Sequence, residues 1–545
     1  MHRGLVFVTI VLSLAAMTPL LAGRPVLGQP PGQIVFPAPP RVLIDTSYKP
    51  TSERSIPVAK GSDLQAALKA AQPGDVLVLE PGAIYQGNFA LPKKAGSGWI
   101  VVRSGAPDEK FPPPGTRVTP SLAPLMPKLV SPNSGPAVYT EPGAHHYRFI
   151  GIEFANALAV KEINSIVAFG GNQTSDAEVP TDLILDRCYV HGQPGTMSRR
   201  GVLLNGASSA VIDSHVSEIH AAGYDSQAIL GYNGPGPFKI VNNYLEASTE
   251  NIMFGGADPK IRDLVPSDIE IRRNHLFKPL KWRPGDPAFA GIKWPLKNLL
   301  ELKNAQRVLI EGNLLENNWG GPALLLTPRN QSGSAPWSVV QDVLFRNNVV
   351  RNANGGFVIL SSDSDGPVSQ ATKRVAVVNN LWLGFTDRFL LMVVGRGVAL
   401  EDFLVDHNTA IPGGYAAYYI EGKGVVATIV RFQFTNNLVG FGAYGVSIPK
   451  ADGSLTKWFP GAIIARNALV SLADTGDGQG STRNRPPDID QAMYASFPNA
   501  AAAGINPDGT LAAKSPNRRA GTDGKDIGVD FDELQRATAL QPMRQ

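Results

Sequence analysis

The sequence predicts an all-β protein, a single-stranded right-handed parallel β-helix with a short capping helix at its N-terminal end. Short apolar segments recur along most of the chain, and each ends in a polar residue at an equivalent place. These polar residues follow one another at intervals of 28 to 39 positions: Ser214, Asn243, Asn274, Asn313, Asn348, Asn380, Asn408, Asn437 and Asn467. A second set of apolar segments alternates with the first, and the connecting stretches lack helical periodicity. A repeat of this length with variable insertions is typical of a solenoid.

Composition agrees with that fold and narrows the range of partners. The 545-residue chain is 43 % hydrophobic and 18 % charged, and it contains 56 glycines and 45 prolines. Such a composition suits many short strands joined by tight turns around a large core. The net charge of +4 is small, so it predicts neither nucleic acid nor a membrane surface as partner. The single cysteine, Cys188, excludes an internal disulfide, and we expect it to be a buried small hydrophobe.

The N-terminal residues are predicted to direct export. Residues 1–28 have a basic start, an apolar run and then small residues, which is the pattern of a secretory signal peptide. The alternative is a membrane anchor, but the run is short for a span and is interrupted by Thr18 and Pro19. We therefore expect a secreted or periplasmic protein without membrane contact after cleavage. Residues 29–55 are rich in proline and are predicted to be a linker.

The β-helix is predicted to span residues 56–531, with a C-terminal tail at 532–545. It begins with a short amphipathic helix after Ser62, a residue type that caps helix N-termini. The apolar side chains of this helix lie on one face. A helix across the end of a stack of strands would cover its open edge.

The recurring asparagines are predicted to be structural. Asparagine readily adopts the left-handed backbone geometry of a tight corner. Stacked asparagine side chains also hydrogen-bond to one another along the axis of parallel arrays. The alternative is a catalytic role, but asparagine is the residue type that such corners prefer.

The segments of the second set end in residues whose character changes along the chain. If the coils stack in register, these ends form one column: Asn172, Asn205, Asn233, Asp258, Lys303, Arg329, Asp363, Arg396, Lys423 and Lys450. The early members are polar or acidic, and the later ones are mostly basic. The column would border an outer groove that suits a linear polymer, because side chains fill the interior of a β-helix. A slip in register by one residue would turn these side chains to the opposite face.

Lys303 and Arg329 are the sharpest candidate catalytic pair, because both follow apolar strands one coil apart. Lysine acts as a base when burial or a nearby cation lowers its pKa. Arginine can bind a uronate carboxylate through two hydrogen bonds and stabilise charge as a proton leaves carbon 5. Glu301, two residues before Lys303, could pair with it, help hold a cation or act as an acid. The alternative is a solvated basic face without chemistry.

Four tryptophans lie in or between the two longest insertions of the repeat: Trp282, Trp294, Trp319 and Trp337. Their rings could stack on sugar rings, because they combine an apolar face with a polar edge. We expect them to bind substrate together with Arg396 and Lys423 of the basic column. The alternative is that each tryptophan anchors its loop to the solenoid.

A calcium site is predicted beside the Gly255-Gly256 turn. Glu250, Asn251 and Asp258 offer the oxygen ligands that Ca²⁺ prefers. The alternative is that these side chains cap turns.

The capping stretch LQAALKAAQPGDVLVLEPGAIYQG and the coils after it resemble the pectin-lyase-like superfamily over about residues 56–530. The chain is most similar to the branch of chondroitinase B and alginate lyase, polysaccharide lyase family six. That branch has a Lys base, a strand ending in Asn, and an Arg after the next apolar strand. LELKNAQRVLIEGN supplies Lys303 and Asn313, and ALLLTPRN supplies Arg329. The resemblance implies a Ca²⁺ ion near the Lys, held by one Asn and two Glu side chains. This sequence has Glu301 near Lys303, but it lacks the closely spaced Glu pair of the family. It also has Arg329-Asn330-Gln331 where the family has an Arg-His-Gly run.

The leading functional prediction is cleavage of an acidic polysaccharide by β-elimination, with Lys303 as base and Arg329 neutralising charge. Two alternatives stay open. A glycoside hydrolase needs two carboxylates, which Asp258, Glu301 and Asp363 could supply from one face. A non-catalytic carbohydrate-binding or cell-surface solenoid needs only the groove and its aromatic residues. The protein is expected to act as a monomer.

Overall fold

The computed structural model describes residues 33–48, 54–411, 416–423, 427–442, 445–448, 455–471 and 493–538. The signal peptide predicted at residues 1–28 lies outside these ranges. No helix within them is both long enough and apolar enough to cross a membrane.

The chain coils across three faces, and all pairings between the strands of the described ranges are parallel. The A face is one fourteen-stranded sheet. Its strands are Ser55–Val58, Val76–Leu79, Ile100–Ser104, His145–Ile150, Thr181–Asp186, Ala207–Ile212, Phe238–Val241, Ser267–Arg272, Ala305–Glu311, Val340–Arg346, Lys373–Val378, Leu400–Asp406, Ile429–Thr435 and Ile463–Ala465.

The B and C faces follow the A face in each coil. The B face consists of Ile84–Gln86, Lys128–Ser131, Glu153–Asn156, Tyr189–His191, His215–Ile219, Tyr244–Ala247, His275–Phe277, Leu381–Leu383, Thr409–Ala410, Leu438–Phe441, Asn467–Ser471 and Tyr494–Phe497. The C face consists of Phe89–Leu91, Val138–Thr140, Val167–Phe169, Arg200–Leu204, Gln227–Gly231, Glu250–Phe254, Leu300–Leu302, Leu390–Gly395, Ala416–Lys423 and Gly445–Ser447. Leu314–Leu326 and Val349–Leu360 run through both faces, and Glu162–Ile163 pairs separately with Met197–Ser198. This path confirms the predicted parallel β-helix.

Helices are short in the described ranges and lie outside the three faces. They are the α-helices Leu64–Ala70, Leu455–Trp458 and Phe531–Thr538 and the 3₁₀-helices Asp108–Lys110, Pro120–Leu125, Asp176–Glu178 and Leu280–Trp282. The capping helix starts one residue later than the sequence predicts, because Asp63 and not Ser62 is the N-cap: its carboxylate accepts from the Ala66 amide. Where a tail was predicted at 532–545, Phe531–Thr538 is helical and packs Leu534 against the B face.

Alternate side chains of every strand fill the interior. Leu183 and Leu185 on the A face, Val190 on the B face and Leu204 on the C face are all completely buried in one cluster that runs through the coils. Cys188 lies in the same cluster, and burial raises the pKa of its thiol to about 12. The prediction that Cys188 is a buried small hydrophobe is therefore confirmed.

The predicted asparagine ladder is present at the corner between the A and B faces. The Asn274 amide and its Nδ2 both donate to Asn313 Oδ1, at 2.9 and 3.0 Å, and Nδ2 also donates to the Ile240 carbonyl. The same bonds link each asparagine to the next from Asn243 to Asn467. The structural prediction is confirmed, but the left-handed residue is the one before each asparagine, such as Gly312 with φ of 68°. That shift turns the asparagine side chain inward, where it reaches its partners.

A second ladder lies at the corner that precedes the A face. Left-handed residues of alternating charge follow one another from coil to coil: Asp268, Arg307, Asp342, Arg374, Asp402 and Arg431. Each arginine holds the preceding aspartate through two hydrogen bonds, for example Arg374 to Asp342 at 2.6 and 2.7 Å. The charges of this corner thus neutralise one another.

The proline-rich segment 33–48 lies along this second ladder and is called the strap here. Amides three residues apart, those of Val35, Ala38 and Arg41, donate to the three ladder aspartates, which are two coils apart. A polyproline II chain advances about 9.3 Å in three residues, and two coils advance about 9.5 Å. The two periods match, so the predicted linker is bound to the solenoid over this stretch.

Candidate functional site

Lys303 and Arg329 lie on neighbouring coils of the C face, as the sequence predicts. Lys303 directly follows the strand Leu300–Leu302, and the Arg329 amide donates to the Lys303 carbonyl at 2.8 Å. The strand register pairs Leu302 with Leu326. Arg329 therefore stands two positions beyond the residue that faces Lys303, and the predicted column is staggered at this point.

Lys303 contacts Glu301, the acid predicted beside it. Its Nζ is 3.2 Å from Glu301 Oε1, and Asn298 Nδ2 donates to Glu301 Oε2 at 2.9 Å. Burial raises the pKa of Glu301 to about 7, and the negative charge of the nearby Glu250 acts in the same direction while Lys303 opposes it. At neutral pH a proton is therefore available on this buried carboxyl, next to the lysine.

Glu250 completes a carboxyl pair with Glu301 and is fully buried. Its Oε2 accepts from Gln227 Nε2 at 2.7 Å and from Thr249 Oγ1 at 2.8 Å. Lys297 Nζ lies 3.8 Å from its other oxygen and also binds Asp225 at 2.7 Å. Although burial opposes it, these two acids raise the pKa of Lys297. Two lysine ammonium groups thus face two carboxyls.

The three residues predicted to bind Ca²⁺ do not converge. The Asn251 side chain donates to the Leu245 and Phe277 carbonyls. The Asp258 carboxylate accepts from the Ser332 and Ser334 amides, so it caps that loop. No group of three His, Cys, Asp or Glu side chains in the described ranges is arranged to hold a metal ion. This set therefore does not fit a shared ion, because lysines stand beside the one carboxylate, Glu250, that faces the site.

Lys278 was missed by sequence reasoning and places a buried amine at the start of the Glu250 strand. It is fully buried, and its Nζ donates to the carbonyls of Ala247, Ser248 and Thr249 at 2.7 to 3.1 Å. Asn251 Oδ1 is a fourth oxygen at 3.3 Å. Burial lowers the pKa of Lys278 to about 7. The side chain fixes the turn that leads into the Glu250 strand.

Arg329 faces Asp363, another member of the predicted column. Arg329 Nε is 3.5 Å from Asp363 Oδ2, and Asp363 Oδ1 accepts from the Gly366 amide at 2.9 Å. The three carboxylates considered for hydrolysis are therefore engaged separately: Asp258 with its loop, Glu301 with Lys303, and Asp363 with Arg329.

The tryptophans divide into two buried and two half-buried rings. Trp282 and Trp294 are 2 % and 5 % exposed, and both pack on His220, with Trp294 stacked at 4.0 Å between ring centroids. These two anchor their loop, which was the alternative to sugar binding. The centroid of the Trp319 ring lies 5.7 Å from the guanidinium carbon of Arg283. Trp337 lines a cavity of about 560 Å³, and its Nε1 donates to the Leu264 carbonyl.

The remaining predicted substrate contacts lie farther along the C face. Arg396 is exposed in a turn after the strand Leu390–Gly395. Lys423 ends the next strand, in register with Gly395, and its side chain lies outside the described part of the chain.

A cavity of about 450 Å³ opens beside Lys303 on its N-terminal side. Gly255 and Gly256 form its near wall with φ of 93° and 83°, and a Cβ on Gly256 would stand 2.8 Å from Met253 Cε and 3.6 Å from Lys303 Cδ. Arg199 and Arg200 line the far side. Sequence reasoning missed both; their only signal is an Arg-Arg pair where an apolar strand begins.

The fold and this groove define the class as a parallel β-helix protein with charged side chains on one outer face. No protein-family model matches the chain, and no curated protein matches it in sequence. Solved structures do match.

The catalytic unit of a GH87 α-1,3-glucanase from Streptomyces thermodiastaticus strain HF3-3 is similar at a TM-score of 0.51 and 13 % identity, over 79 % of this chain and 72 % of that one. A mannuronic-acid-specific polysaccharide lyase of family 6 from human gut microbiota gives a TM-score of 0.44 and 12 % identity, over 82 % and 92 %. The family 6 alginate lyase AlyGC gives 0.42 and 12 %, over 90 % and 59 %. The likeness to the glucanase structure, at a TM-score of 0.51 and 13 % identity, shows the β-helix fold alone.

Proposed function

We propose that this protein cleaves an acidic polysaccharide by β-elimination on its C face. The observation that carries the proposal is the contact of Lys303 with a proton-bearing Glu301, one coil from Arg329. A lysine takes up a proton only in its neutral form. Glu301, with a pKa of about 7 and 3.2 Å from the Lys303 ammonium, can supply a proton beside that lysine near neutral pH.

In the proposed reaction Lys303 removes the proton from the carbon next to the uronate carboxylate. The electron pair of that C–H bond forms a carbon–carbon double bond, and the bond to the neighbouring glycosidic oxygen breaks. The Lys303–Glu301 pair returns one proton to the departing oxygen, so protons balance over the cycle. Arg329 stands on the next coil, where its guanidinium neutralises the charge that develops on the uronate carboxylate.

The proposal includes export, which the sequence of residues 1–28 supports, and action as a monomer on a polysaccharide. A hydrolase is less well supported by the geometry. Glycosidases keep their two carboxyls about 5 Å apart or more, to accommodate the sugar or a water. Of the three carboxylates considered, Glu301 instead contacts Lys303, Asp258 caps its loop and Asp363 faces Arg329.

The test is ultraviolet absorbance at the unsaturated-uronate band during incubation with a panel of acidic polysaccharides. We expect a rise with the wild type, its loss in Lys303→Ala, and its retention in Lys60→Ala, an exposed lysine on the capping end. Parallel reactions with Ca²⁺ and with a chelator test the predicted cofactor. New reducing ends without absorbance would refute elimination and favour hydrolysis. Binding without either product would leave a carbohydrate-binding solenoid.

A further inference from the structure

The cavity beside Lys303 contains a cation that has no anionic partner. Arg200 begins the strand Arg200–Leu204 and lines the cavity with Arg199. Within the described part of the chain, no carboxylate forms an ion pair with Arg200, and its buried Nε has no hydrogen-bond partner. An unpaired charge that is largely withdrawn from water is costly in a folded protein.

The neighbouring side chains explain why Arg200 stays unpaired. In the strand register Arg200 stands next to Gln227, and Gln227 next to Glu250. Gln227 gives its amide to Glu250, so it separates the guanidinium from that carboxylate. The acid of the cavity wall, Asp225, is already bound to Lys297. Burial and the adjacent Arg199 both lower the pKa of Arg200.

Arg199 adds a second cation to the same wall. Its guanidinium lies 4.4 Å from the Tyr224 ring centroid, and its buried Nε also has no partner among the described residues. Tyr232 closes another side and donates its hydroxyl to Asn172. Leu230 and Met253 form an apolar floor. Two guanidinium groups, two aromatic rings and an apolar floor together suit a sugar ring that carries an anionic substituent.

We propose that Arg199 and Arg200 form an anion-binding subsite for a second charged sugar unit of the polymer. The subsite lies three coils from the Glu301 strand, roughly 14 Å along the axis at about 4.8 Å per coil. It therefore receives a different unit from the one at Lys303. The proposal rests on the proposed function only in taking the ligand to be a polysaccharide. It restricts the substrate to polymers charged on more than one unit of the bound stretch.

The test measures binding by calorimetry, separately from cleavage, with Lys303→Ala as the background so that the probe stays intact. The carboxylate probes are tetramers of mannuronate, guluronate and galacturonate. A κ-carrageenan tetrasaccharide supplies sulfate without carboxylate. The methyl-esterified galacturonate tetramer keeps the ring and removes the charge. The variants are Arg200→Gln, Arg200→Lys and the matched control Arg262→Gln, whose side chain is 89 % exposed.

We expect Arg200→Gln to weaken binding of one class of anionic tetramer about ten- to hundredfold, while Arg200→Lys retains part of the affinity. The class that binds identifies the anion as carboxylate or sulfate. Arg262→Gln should bind the anionic tetramers as tightly as its parent. The neutral tetramer should bind the Arg200→Gln variant and its parent equally. Equal affinity of the Lys303→Ala parent and its Arg200→Gln derivative, or no binding of any anionic tetramer, would overturn the subsite. Retained, Arg200-dependent binding without an elimination product would refute the proposed function alone.

A folding readout separates a binding role from a structural one. Because Arg200 has no partner to lose, Arg200→Gln should unfold at the same temperature as its parent or above it. A clear drop in melting temperature would show that the guanidinium holds the fold together, and it would overturn the inference.

Discussion

The asparagine ladder makes the most quantitative prediction, and Asn313→Ala is the sharpest perturbation of it. Asn313 sits near the middle of the ladder and is completely buried. Its Oδ1 accepts from the Asn274 amide and from Asn274 Nδ2, and its Nδ2 donates to the Ile271 carbonyl and to Asn348 Oδ1. Alanine removes all four hydrogen bonds and leaves the Asn274 amide buried without an acceptor.

Each buried hydrogen bond contributes about 1 kcal/mol net. Four such bonds give a loss of about 4 kcal/mol in the free energy of unfolding. Because the stranded Asn274 amide adds a desolvation cost of its own, this figure is a lower estimate. An effect of that size belongs to the large tail of single substitutions. Urea unfolding followed by circular dichroism should show a lower midpoint for the variant.

The matched control is Asn354→Ala, because Asn354 is exposed and its side-chain oxygen accepts from Thr386 Oγ1 at the surface. We expect that variant to lose about 0.5 kcal/mol or less. Amide hydrogen exchange adds a local readout, since the coils flanking Asn313 should lose protection before distant coils do. Equal midpoints for the two variants would refute the view that the ladder stabilises the solenoid.

Three further predictions concern the strap and the candidate site. A chain that begins at residue 54 loses the three strap amides bound to the ladder aspartates, so its melting temperature should fall, and an unchanged value would contradict a stabilising strap. The folded protein holds a proton on Glu301 up to about pH 7, whereas the ordinary glutamate pKa is 4.5, so this residue's contribution to stability falls as the pH rises from 4.5 to 7. Glu301→Gln should lose that pH dependence, so its stability relative to the wild type should increase above pH 7. The measurement is the melting temperature of both proteins at pH 5 and pH 8. The same difference in melting temperature between variant and wild type at both pH values would contradict the prediction. Gly256→Ala places a Cβ 2.8 Å from Met253 Cε in a backbone with φ of 83°. This variant should therefore have a lower melting temperature and should bind polysaccharide more weakly. Unchanged binding would show that the ligand lies elsewhere.

The fold could be predicted because one corner is repeated in successive coils from Asn243 to Asn467. The A-face strands of these coils end in the same hydrogen-bonded turn, and the turn selects asparagine at a fixed place, so the period is visible in a single sequence. The detail of the corner was not visible. The left-handed position is taken by residues as different as Gly312, Asn347 and His407, so residue type alone does not reveal it. The capping residue was also misplaced by one, because serine and aspartate cap equally well.

The candidate site was predictable only where its members end strands of consecutive coils. Lys303 and Arg329 do so, and Glu301 lies on the same strand as Lys303. The contact between Glu250 and Glu301 depends on the long insertion that separates their strands. The burial of Trp282 and Trp294 depends on His220, which lies on an earlier coil. Such contacts across insertions have no periodicity that a sequence could display.

Charge pairing offers a physical reason to look for function on the C face. At the corner before the A face, the aspartates and arginines of the second ladder alternate from coil to coil and neutralise one another. This ladder binds the strap and leaves no net charge for a ligand. On the C face, Lys297 meets Asp225 and Lys303 meets Glu301. Arg200 breaks that pattern in the described part of the chain, because a glutamine occupies the place where a partner would stand. Arg200 is therefore left for a ligand of the cavity, and an anionic polymer that lies along the coils would reach Lys303 from it.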